Sequence, residues 1–145
     1  MTSEQWQDIG EGLIASLAYL GVAVVLLALG FFALDLLSPG RLSVVIMRDR
    51  NRNAAIVASA GMLGLSIVVG TSVLTTQDDF TSGLITTAVF GLVGVLLQAL
   101  VFVILDKLTP GKLGDVVCAD GDHPGAYLIA ASLLASGIIV ATCIS

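Results

Sequence analysis

Two carboxylates attract attention first because they recur in one setting. Asp35 and Asp106 each close a long apolar run, inside the shared string LD-x-L-[ST]-PG-[RK]-L. A carboxylate at a helix C-terminus opposes the helix dipole at a cost of about 0.3 to 1 kcal/mol, so its recurrence needs a cause. One cause is local: pairing with Arg41 or Lys112 across the Pro-Gly turn, or accepting hydrogen bonds from a neighbouring helix start. The other is functional: two related carboxylates at the mouth of a pathway, taking a cation or a proton. Gln98 is the third candidate, a lone amide in the middle of an apolar run. It reads either as a packing or oligomer contact or as the lining of a polar pathway. Cys118, Asp120, Asp122 and His123 cluster in sequence, but their spacing matches no established metal site and mixes hard with soft ligands, so no metal and no cofactor is expected.

These residues are carried by a chain that repeats itself. Residues 8–73 return without a gap as 79–144, offset by 71 residues, with about 24 of 66 aligned pairs identical. Phe31, Leu34, Asp35, Leu37, Pro39, Gly40 and Leu42 fall on Phe102, Leu105, Asp106, Leu108, Pro110, Gly111 and Leu113. In that register Gln98 faces Leu27, so one copy alone carries the amide.

Composition identifies the solvent. The chain is 57% hydrophobic and 12% charged, with a mean hydropathy of +1.03, too little polar surface for a water-soluble globule. A bilayer core about 30 Å thick needs about 20 helical residues. Four uncharged stretches, 12–34, 54–75, 83–105 and 125–144, meet that length. They are continuously apolar, without the alternation of barrel strands. The expectation is an all-α membrane protein: four transmembrane helices in two parallel two-helix repeats, forming one transmembrane domain over 1–145.

The first stretch opens with Glu4, Asp8 and Glu11 instead of a basic segment and is too long for a signal peptide, so it is expected to stay on the mature chain. All six Lys and Arg residues (Arg41, Arg48, Arg50, Arg52, Lys107, Lys112) lie in the two loops inside the repeats. The positive-inside rule then makes those loops cytoplasmic and puts both termini outside. Two spans per repeat make the copies parallel rather than inverted. The loops are long enough for short interfacial elements, for instance 41–47 with Leu42, Val45 and Ile46 dipping into the headgroups. Arg48, Arg50 and Arg52 report topology and also offer charge to an anionic lipid headgroup.

Small residues mark helix faces. Ala60 with Gly64, and Ser66 with Gly70, are spaced as small-xxx-small, and Gly91 with Gly94 and Gly137 with Ala141 supply complementary surfaces. Such spacing lets helix backbones approach closely, in the core or in a homo-oligomer. Asn53 and Asp122 with Pro124 suit helix starts. A net charge of -5 argues against a nucleic-acid partner. Cys118 and Cys143 fall at opposite membrane faces and cannot be joined without crossing the bilayer.

Around Arg52-Asn53-x-Ala55, Gly61, Gly64 and Gln98 the chain resembles the YjfL-type bacterial membrane proteins, domain of unknown function 350. That family carries a G-N-x-A-x-A motif, small residues along the second span and a Gln in the third. Arg52 stands where the family usually has Gly, and the second half offers Asp122-His123-Pro124-Gly125 instead. The resemblance implies a small self-associating inner-membrane protein without an established activity, some relatives being associated with polyamine-synthase-like proteins.

No nucleophile, base and orienter set and no phosphate loop is present, so an enzyme is not expected. Two classes remain. The leading expectation is a self-associating channel or carrier for a small ion or metabolite, which rests on the parallel duplication, Asp35, Asp106 and Gln98. An accessory or scaffolding subunit, binding a partner protein or organising lipid, rests on the poverty of intramembrane charge.

Overall fold

The computed structural model describes residues 3–38, 40–76 and 79–145, with side chains from Gln5 onward. It is helical throughout, with no strand among the described residues: α1 Ser3–Leu37, α2 Leu42–Met47, α3 Arg52–Thr75, α4 Phe80–Leu108, α5 Leu113–Val117 and α6 Pro124–Ile144. α1, α3, α4 and α6 are long and apolar enough to cross a bilayer. They satisfy their backbone groups internally, which hydrocarbon demands. α1 is longer than expected, starting before Asp8 and Glu11, because a helix can continue past the apolar layer into water.

The bundle is not evenly shared. Half of the apolar window of α3 is buried, against 17% for α1. α3 packs on α1, α4 and α6, and its most intimate neighbour is α6, whereas α1 does not reach α6. α3 and α6 begin at the same end of the bundle and cross at Gly64 and Gly137. A Cβ added to Gly137 would lie 2.5 Å from the Gly64 Cα. Flanking Ala60 and Ala141 are buried beside the crossing, which is the close backbone approach that small-xxx-small spacing permits.

The short helices cap the basic end. Leu42 of α2 and Leu113 and Val117 of α5 join Leu34, Ala54, Val57, Phe102, Ala126, Ile129 and Leu133 in one buried cluster. A second cluster, Leu26, Leu65, Val69 and Val95, fills the bundle further along. At the opposite end Tyr19 meets Phe80 edge to face, ring centroids 6.1 Å apart, tying α1 to the start of α4. Large side chains such as Leu17, Phe32, Leu96, Leu128 and Ile139 point outward, as they do where lipid is the solvent.

The loops turn through left-handed residues at matching steps of the sequence register. Gly40 (φ 98) and Gly111 (φ 116) are 71 residues apart, and so are Arg50 (φ 53) and Gly121 (φ 86).

Candidate functional site

The recurring aspartates bond to the short helices. The Asp35 carboxylate accepts the backbone N–H of Ser43 at 3.1 Å, and that of Asp106 accepts the N–H of Leu113 at 2.7 Å. The residues in the N-cap positions of α2 and α5, Arg41 and Lys112, give no side-chain cap. Each aspartate therefore caps, from eight or seven residues earlier in the chain, a helix start that its own sequence leaves bare. That electrostatic contact offsets the unfavourable dipole at the end of α1 and α4. Neither Arg41 nor Lys112 pairs with these carboxylates: the ion pair among the described residues is Arg52 with Asp122.

Gln98 is 3% exposed, and its Nε2 donates to the Leu133 carbonyl of α6 across 3.5 Å. It lies against the glycine crossing, since a Cβ on Gly64 would meet Gln98 Nε2 at 2.6 Å and the Leu133 oxygen at 2.8 Å. The amide thus ties α4 to the α3–α6 contact. Gly91 receives Leu26, and Gly94 receives Val68 and Leu65. Ser66 and Gly70 are exposed, with nothing within 4 Å of a Cβ at Gly70. The structure therefore brings Gln98, Ala60, Gly64, Gly91 and Gly94 into helix packing, and leaves Ser66 and Gly70 on the outer surface. Asp35 and Asp106 are engaged at the starts of the short helices, and Gln98 is engaged at the glycine crossing.

The polar centre of the molecule lies instead where the two basic-end loops meet. Asn53 is fully buried. Its Nδ2 donates to the carbonyls of Ala119 (3.2 Å) and Gly121 (2.7 Å), and its Oδ1 accepts from the His123 N–H (3.1 Å). A single amide therefore folds the α5–α6 loop onto the start of α3. Asn51 adds a second strap, donating to Ala119 O at 3.0 Å while its Oδ1 accepts from the Ala54 N–H. Arg52 and Asp122 close the outside at 3.2 Å, both largely exposed, a contact that solvent weakens to about 1 kcal/mol or less.

The expected helix caps are corrected accordingly. Asn51, not Asn53, caps α3, because the helix starts at Arg52. His123, not Asp122, caps α6, its Nδ1 accepting from the Gly125 N–H at 3.1 Å with Pro124 in the first turn. In the Cys118, Asp120, Asp122, His123 cluster, two members are thus occupied by the ion pair and by the cap. Cys118 is half-buried, and its thiol is pushed up by burial first and then by the charges of Asp115 and Asp49.

Between the two loops is a cleft of about 480 Å³ lined by residues 49–52 and 118–122 together with Val45. It gathers Arg50 and Arg52 with Asp49, Asp120 and Asp122, and Arg48 is not on its wall. The three arginines therefore do not form a uniformly basic patch. Asn51 and Asp49 were not singled out from the sequence, and Asp120 only as a member of the cluster that matches no metal site. The N-cap rule points to Asn51 once the helix start is known, and Asp49 and Asp120 coincide in the 71-residue register.

Four apolar helices around a glycine crossing, with polar loops braced at one end, define a multi-pass membrane protein. The chain belongs to the family described as Domain of Unknown Function (DUF350), whose model matches residues 8–144. It is 35% identical over 135 residues to a UPF0719 transmembrane protein of Mycolicibacterium paratuberculosis, covering 93% of this chain and 89% of that one. UPF0719 transmembrane proteins of Mycobacterium bovis and Mycobacterium tuberculosis are each 34% identical with the same coverage. No solved structure matches.

Proposed function

We propose that this protein is a non-enzymatic accessory module of the bacterial inner membrane, built from two parallel repeats, with its basic loops in the cytoplasm. Its work is to present helix faces and a braced cytoplasmic surface to a second copy or to a partner protein. The observation that carries this reading is that the polar side chains on which conduction would depend are engaged in holding the fold. Asp35 and Asp106 cap helices, and Gln98 bonds a main-chain carbonyl at the helix crossing. A transport pathway needs ionisable or polar groups facing a hydrated route. The matched left-handed turns and the matched aspartate caps support the repeat. The exposed face of α3, with Ser66 and Gly70, supports self-association.

Purification from native membranes in mild detergent tests the reading. A stoichiometric membrane or soluble partner, the polyamine-synthase-like class being one, or a discrete homo-oligomer is expected. A monomer that arrives alone and carries solute in liposomes would contradict it.

A further inference from the structure

The cleft at the basic end has charged walls of both signs, and part of that charge is unspent. Arg52 is paired with Asp122, whereas the side chains of Asp49, Arg50 and Asp120 make no hydrogen bond or ion pair among the described residues. The unspent lining is one guanidinium and two carboxylates, net negative, so a simple anion is disfavoured there. Arg50 is also held at φ 53, a left-handed backbone that disfavours a residue with a Cβ and that its register mate Gly121 adopts freely. An arginine at a position that suits glycine is explained if its guanidinium has work in the cleft.

We propose that this cleft binds an ethanolamine phosphate group, with the phosphate on Arg50 and the primary ammonium between Asp49 and Asp120. The chemistry matches group by group. A guanidinium takes two phosphate oxygens in parallel, and a primary ammonium has three N–H donors to divide between two carboxylates. A volume of about 480 Å³ falls in the range of small-molecule sites. The cleft opens at the starts of α3 and α6, level with the ends of the membrane-crossing helices, where lipid headgroups lie. The group has two sources there, a phosphatidylethanolamine in the bilayer or the free phosphate ester in water. This inference does not depend on the accessory reading, and either can fail alone.

The test is native mass spectrometry of the full chain from detergent, with equimolar phosphatidylethanolamine, phosphatidylcholine and phosphatidylglycerol of identical acyl chains. Ethanolamine lipid is expected to bind about tenfold more tightly than the other two, a difference of about 1.4 kcal/mol. Choline lipid lacks the N–H donors, and glycerol lipid brings an unbalanced negative charge. Asp49→Asn together with Asp120→Asn should erase the preference for ethanolamine over choline. Arg50→Gln should weaken both, and Arg50→Gly should do the same while relieving the backbone, so that a folding defect is not the cause. Displacement by millimolar O-phosphoethanolamine supports the site with the free ester as a competent ligand. Retention of the lipid, with the variant effects intact, supports it with the lipid as the source. Equal binding of all three lipids, unchanged in the variants, overturns the proposal.

Discussion

Gly64 and Gly137 meet backbone to backbone where α3 crosses α6, so close that a methyl group on Gly137 would lie 2.5 Å from the Gly64 Cα and carbonyl oxygen. Neither helix has a flexible side chain at that point to move aside. Gly137→Ala should therefore cost about 1 to 3 kcal/mol, the usual range for overpacking, and Gly137→Leu should prevent stable folding. Gly70→Ala on the exposed face should be neutral in the monomer. Thermal unfolding in one detergent, followed by circular dichroism, compares the three.

Asn53 is the buried strap between the loops, and removing it strands the Gly121 carbonyl and the His123 N–H and leaves the Ala119 carbonyl to Asn51 alone. Asn53→Ala should lose about 2 kcal/mol or more, within the range for unsatisfied buried groups. Asn53→Asp should be worse, because a carboxylate would face the carbonyls of Ala119 and Gly121. Asn51→Asp keeps the cap on Ala54 and loses only the donor to Ala119, and should be the mildest of the three. Limited proteolysis within 118–123 reads the loosening directly.

Asp35→Ala and Asp106→Ala should each cost about 1 kcal/mol, the usual worth of a helix cap. The loss belongs to α2 and α5, so hydrogen exchange should rise first at Ser43 and Leu113, the amides the carboxylates accept. Asp→Asn keeps an acceptor oxygen and should recover part of each loss.

The Cys118 thiol is pushed up by burial and by neighbouring acids, so the folded protein holds its proton more tightly than the unfolded chain does. That contribution to stability is complete below the unfolded thiol pKa of about 8.5 and is lost as pH rises toward the higher folded value. Alkylation of Cys118 should be slow at neutral pH and accelerate only above the ordinary thiol range. Replacing both Asp49 and Asp115 by Asn should bring that acceleration to lower pH. Iodoacetamide rates read by mass spectrometry across pH 7 to 10 check both statements.

Much of the architecture was legible in the residues because a bilayer imposes few solutions. Length and hydropathy alone located the four spans, and 41–47 anticipated α2, although Leu42 is buried in the core with Val45 and Ile46 packed against it and these residues do not dip into the headgroups as expected. The site was less legible. A sequence shows that Asp35 and Asp106 recur, but whether a carboxylate faces water or reaches a bare helix start depends on how the chain turns after Gly40 and Gly111. Asn53 resembled a cap because it precedes an apolar run, and only the true helix start at Arg52 shifts that role to Asn51. The small-residue pattern did not distinguish Ala60 and Gly64, which meet α6, from Ser66 and Gly70, which face outward. The spacing is the same, and only the crossing geometry separates them. α5 escaped notice because five residues carry too little periodicity to read.

The most direct test of the accessory reading is ion flux through the purified protein in liposomes, using pH- and potassium-sensitive dyes, for the natural chain and for Asp35→Asn with Asp106→Asn and Gln98→Leu. The expected result is proton and potassium leakage no greater than in protein-free liposomes, with the variants altering stability alone. Leakage above that background, abolished by either set of substitutions in protein that remains folded, would contradict it and return those three side chains to a conducting path.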